Sequence, residues 1–91
     1  MTEIEKIKGR IWALRDTNLK ISENIDKSLS HEDEMRRYHM ERGFPGKYDA
    51  TAHIQYRKWA RENIAKYEAE ICKLMERLKE LEEGDKERDN R

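Results

Sequence analysis

The sequence predicts an all-α protein: an antiparallel coiled-coil helical hairpin with a short connecting helix, assembled into a dimeric or higher helical bundle. Three observations carry that expectation. Two long stretches space their apolar residues in alternate steps of four and three, which puts those residues on one stripe of an α-helix. A Gly43-Phe44-Pro45-Gly46 segment separates the two stretches. Of the 91 residues, 35% are hydrophobic and 44% are charged, against roughly 25% charged in an ordinary globular domain. A chain this small and polar closes no large core of its own. Regularly spaced Ile and Leu are equally unlike a disordered chain, so the stripes must cover one another.

The first helix is expected over about residues 2–29. Ile4, Ile7, Ile11, Leu14, Asn18, Ile21, Ile25 and Ser28 occupy its successive heptad a and d positions. Asn18 is the lone amide in that seam, a residue type that costs stability while fixing register or oligomeric state. Gly9 lies on the outer face and weakens the first turns by about 1 kcal/mol relative to Ala. Trp12 and Leu19 sit beside the stripe and widen it, which suggests contact with more than one partner helix.

Ser30 followed by Asp33 has the pattern of an N-cap with an acidic first turn, so a short helix is expected over residues 31–42. Its apolar positions are Met35, Tyr38 and Met40. A turn over residues 43–49 follows, because Pro45 cannot continue a helix and Pro-Gly suits a type II turn. Asp49 can cap the second long helix, expected over about residues 50–83 without Gly or Pro. The stripe of this helix is Ala60, Ile64, Tyr67, Ile71, Leu74, Leu78 and Leu81. Gly84 is expected to end it, leaving a frayed polar tail over 85–91. Residues 1–84 form a single domain on this reading.

The two stripes match in one antiparallel register. Ile4 then meets Leu81, Ile7 meets Leu78, Ile11 meets Leu74 and Leu14 meets Ile71, while Ile21 meets Ile64 and Ile25 meets Ala60. Asn18 faces Tyr67, where a phenol could serve the amide. Ser28 faces Arg57, where the seam is expected to open. The same contacts could be made within one chain or between two.

The formal net charge is zero, so no global field draws the molecule to nucleic acid or anionic membrane. The charge is nevertheless segregated: residues 1–34 carry six Lys/Arg against eight Asp/Glu, residues 35–61 seven against two, and residues 62–91 seven against ten. The middle is the basic part. A single cysteine, Cys72, excludes an internal disulfide framework and fits a reducing compartment. No apolar run approaches the roughly 20 residues of a membrane span, and the charged start lacks a signal-peptide core. A cytoplasmic protein with no membrane association is expected.

Five of the seven aromatic residues also fall in the basic segment. The candidate binding residues are therefore Arg36, Arg37, Tyr38, Arg42, Phe44, Lys47, Tyr48, Tyr56, Arg57, Trp59 and Arg61. Arginine and aromatic rings anchor protein interfaces. The same groups suit phosphates and bases, with guanidinium on phosphate and rings on base faces. A small accessory regulator or inhibitor that self-associates, most simply as a dimer, and binds a protein partner through this end is the first expectation. The alternative is a phosphate-bearing ligand, nucleic acid or a small nucleotide, at the same cluster. A structural spacer, with the aromatics merely capping the seam, is the third.

Chemistry is not expected. His31, His39 and His53 lack the one-turn spacing of a helical metal pair and have no Cys nearby, so neither a metal nor any other cofactor is anticipated. Cys72 lies one position off the seam with no base placed to activate it. The carboxylates alternate with Lys and Arg as on a solvated helix face. No glycine-rich phosphate loop or nucleophile elbow occurs, so the chain is not expected to be an enzyme.

Overall fold

The computed structural model describes residues 2–43 and 48–89, with side chains described through residue 84. It contains two helices, α1 over Glu3–Arg42 and α2 over Thr51–Asp89, paired as an antiparallel hairpin of 77 × 18 × 15 Å. At 1.5 Å per residue a 40-residue helix is about 60 Å long, and the narrow cross-section is that of two helices side by side.

Local chemistry fixes the ends of α1. Thr2 and Glu5 form a reciprocal capping box: the Glu5 N–H donates to Thr2 Oγ1 at 3.2 Å and the Thr2 N–H to Glu5 Oε2 at 3.4 Å. Gly43 closes the helix with φ 64°, a left-handed conformation that favours glycine, and its N–H donates to the carbonyls of His39 and Met40. At the start of α2, Asp49 accepts from the backbone N–H of Thr51 at 3.0 Å and from its hydroxyl.

Two boundaries differ from expectation. Residues 31–42 do not form a separate connecting helix, because α1 runs unbroken through Ser30 to Arg42; the middle of the expected turn, residues 44–47, lies outside the described residues. Ser30 has capping chemistry, but no Gly or Pro breaks the backbone ladder near it. Residues 31–42 also remain in the seam, where Glu32, Met35 and His39 are half-buried. Gly84 likewise does not end α2, which continues to Asp89. Glycine in a helix interior costs about 1 kcal/mol but does not remove a hydrogen bond, and no proline follows it.

The register is the one in which Leu14 meets Ile71. Ile7, Ile11, Leu14 and Ile71 form the buried cluster, with Tyr67, Leu74, Leu78 and Leu81 packed on it. Ala60 is completely buried, which lets α2 approach α1 closely near Ile25. Polar contacts bracket the seam on both sides. Arg10 reaches Glu70 at 3.2 Å and Arg77 reaches Glu3 at 3.4 Å on one side. On the other, Lys8 lies 3.7 Å from Glu82 and Arg15 Nη2 3.7 Å from the Met75 sulfur. The hairpin therefore has two broad faces, one formed by residues just before each seam position and the other by residues just after it.

Asn18 differs from the expected polar layer. Its amide donates to the Ile64 carbonyl at 3.5 Å, and its buried Oδ1 has no hydrogen-bond partner among the described residues. Tyr67 contributes its ring to the core cluster instead. Tyr67→Phe is therefore expected to change stability by less than about 0.5 kcal/mol in a urea melt. Asn18→Leu should raise it by about 1 kcal/mol, because an unsatisfied buried acceptor is removed.

Candidate functional site

The seam does not open at Arg57. Ser28 and Arg57 face each other as the register requires, and both are buried, Arg57 to 7% exposure. Arg57 donates through Nη1 to Ser28 Oγ at 3.3 Å and through Nη2 to Glu32 Oε1 at 2.9 Å. The other Glu32 oxygen accepts from Arg36 Nε at 3.4 Å, one turn along α1. Ser28 Oγ is also 3.0 Å from His53 Nδ1. The four-three alternation thus continues to the tip with polar residues in the seam, Ser28, Glu32 and His39 on α1 and His53 and Arg57 on α2.

A ladder of rings extends this network toward the connection. His31 and His53 lie with centroids 5.2 Å apart, Tyr48 is 6.5 Å from His53, and His39 is 5.4 Å from Tyr48. The histidines, unrelated by local spacing, are gathered by the pairing of the helices. Among the described residues no group of three or more His, Cys, Asp or Glu side chains is placed to hold a metal ion.

The candidate binding residues divide by position. Phe44 and Lys47 lie outside the described residues. Arg57 faces inward and supports the tip, and Tyr48 is half-buried in the ring ladder. Tyr56 packs 6.1 Å from Trp59, which is 56% exposed. The Arg42 guanidinium lies 5.0 Å over the exposed Tyr38 ring, a cation–π arrangement one helical turn apart. Arg36, Arg37 and Arg61 are exposed.

These exposed groups do not share one face. Tyr38, Tyr56 and Trp59 each precede a seam residue, whereas Arg36 and Arg61 each follow one, so they flank the tip on opposite sides. Two large apolar side chains absent from the expected set, Met40 at 83% and Ile54 at 52% exposure, are also at this end. Both sit one position after a seam residue, a placement that becomes readable once the heptad is extended through Glu32 and His53.

The Arg57 hydrogen bond is the largest influence on Glu32, and with the charges of Arg57 and Arg36 it holds the carboxyl below the usual glutamate range against the opposing effect of burial. Thr51 likewise lowers Asp49, through its hydroxyl first and its backbone N–H second. A depressed carboxyl stabilises the fold fully above its ordinary value, and that contribution is lost as pH falls through the lower folded value. Acidification below about pH 4 is therefore expected to loosen the tip before the apolar shank. Hydrogen exchange at residues 28–36 and 51–57, compared with residues 7–14 at each pH, measures the difference.

Compared with known proteins, the chain matches no protein-family model, no curated protein and no solved structure. Among the described residues, no helix is long and apolar enough to cross a membrane.

Proposed function

We propose that this chain is a non-enzymatic, self-associating helical interaction protein, a small cytoplasmic accessory regulator or inhibitor. It binds a protein partner through the exposed aromatic and basic groups of the tip. Its two helices pair as a coiled coil and serve as the scaffold.

The observation that carries the reading is Trp59, more than half exposed beside Tyr56 and anchored one residue from the fully buried Ala60. A large ring held on a rigid helix loses little conformational entropy on binding, as interface anchors require. The buried Arg57 network supports the same end from within, so the surface is preorganised.

Pull-down from the source organism, repeated after nuclease treatment, tests the proposal. Capture of a protein that survives nuclease and falls about tenfold or more with Trp59→Ala, at unchanged helicity, is the expected result. Capture abolished by nuclease and steeply weakened by salt would instead indicate a phosphate-bearing ligand. Capture indifferent to Trp59→Ala, Tyr38→Ala and Tyr56→Ala would leave only a spacer.

A further inference from the structure

The broad face opposite Trp59 carries a second stripe. It consists of residues one position after each seam residue, and it includes Trp12 at 74% and Leu19 at 58% exposure, with Met75 on α2 at 47%. Lys8, Ile11, Trp12, Arg15, Met75 and Leu78 line a shallow groove on this face. The seam beneath is incompletely covered, since Ile4, Ile21, Ile64, Leu74 and Leu78 are only half-buried in the hairpin. A face of this kind is what a helical hairpin buries when it forms a bundle.

The charges on the face specify the occupant. Along α1 the stripe is basic toward the N-terminus, with Lys8 and Arg15, and acidic farther on, with Asp26 and Asp33. Each pair is seven residues apart. Laid antiparallel on a second copy of itself, α1 places Lys8 against Asp33, Trp12 against Leu29, Arg15 against Asp26, and Leu19 against Ser22. The α2 stripe is self-complementary in the same way about the step from Ile64 to Ala65: Arg61 meets Glu68 and Ile54 meets Met75.

The two centres coincide. Ala65 is adjacent to Ile64, which pairs with Ile21, so it lies level with the midpoint of Leu19 and Ser22 on α1. One two-fold axis therefore satisfies both helices, as an isologous interface requires. Asp26, Asp33, Arg61 and Glu68 have no ion pair or hydrogen bond within the chain among the described residues.

We infer that the Trp12 face docks on the same face of a second copy, related by a two-fold axis that lies between the two faces, runs across the helices at right angles to the hairpin's long axis and passes beside Ala65. The product is a four-helix bundle in which every neighbouring pair of helices is antiparallel. It covers Trp12, Leu19, Ile54 and Met75 and leaves Trp59 exposed. The two tips point in opposite directions, so one dimer presents two recognition ends far apart. A parallel stacking of the copies would instead set Lys8 beside Lys79 and put the two Ala65 residues on diagonal helices.

This inference gives a definite geometry to the self-association proposed above and is independent of what the tip binds. Its test uses the full chain. Light scattering coupled to size-exclusion chromatography should give twice the 11.1 kDa chain mass. Arg15→Asp and Asp26→Arg should each weaken the homodimer by about tenfold or more, because like charges then oppose each other twice across the axis. An equimolar mixture of the two variants should restore a dimer, and the double variant should restore a homodimer. Ala65→Cys in a Cys72→Ser background should form an intermolecular disulfide at the axis.

A monomer throughout would overturn both this interface and the proposed self-association. A dimer indifferent to the charge reversals, or one in which Ala65→Cys does not cross-link, would retain self-association and overturn the interface.

Discussion

Leu14→Ala is expected to destabilise the protein by about 3 kcal/mol, within the range for truncating a buried leucine. Leu14 is the least exposed large side chain in the shank, at 3%, and it sits opposite Ile71 in the buried cluster. Truncation removes contacts on both helices at once. A two-helix shank has no further core layer that can collapse into the space. For a chain of this size the melting midpoint should fall by roughly 10 °C or more. Ile4→Ala, at a half-buried seam position near the open end, should cost clearly less. Thermal melts at matched protein concentration measure both, since association with a second copy would otherwise shift the midpoint.

The second large effect is at Arg57. Arg57→Ala should lower the melting midpoint by several degrees and increase exchange at the tip, because it leaves Glu32 and the Ser28 hydroxyl without their buried donor. Breaking a buried charge pair from one side is strongly destabilising, whereas replacing both charges with apolar groups is often neutral or stabilising. Arg57→Leu combined with Glu32→Leu should accordingly recover the stability lost in Arg57→Ala. The paired substitution should also abolish the acid sensitivity at this site, since Glu32 is the carboxyl that Arg57 depresses. If the double variant stayed as unstable as Arg57→Ala, the network would not be the source of the tip's stability.

The shank was legible because its seam is written in Ile and Leu. The pairing of Ile7, Ile11 and Leu14 with α2 follows from spacing alone, and the flanking contacts of Arg10 with Glu70 and Lys8 with Glu82 lie where that register puts them. The tip was harder to read for a physical reason. Five of its seam positions, Ser28, Glu32, His39, His53 and Arg57, are polar, and a test for apolar periodicity counts them as solvent-facing. Burial of Arg57 beside Ser28 and Glu32 is maintained by charge-assisted hydrogen bonds. Counting four and three onward from Ile25 would have revealed it.

Local capping signals competed with that count and lost. Ser30 looks like the start of a helix, yet its backbone is already within one that the Glu32 contacts carry onward. The aromatic and basic cluster was visible as composition, but its division between two faces was not. Trp59 and Arg61 are two residues apart, and only their places on either side of the buried Ala60 show that they point away from each other.

One chain folds on itself, with α1 paired to α2 at the register of Leu14 and Ile71. Spin labels on Lys8→Cys and Glu82→Cys in a Cys72→Ser background test that pairing by pulsed dipolar spectroscopy, with the labelled chain diluted into excess unlabelled chain. The predicted result is a single short distance, far below the 77 Å length of the molecule, that persists unchanged at every dilution. Loss of that distance on dilution would overturn it, since the two helices would then be paired between chains.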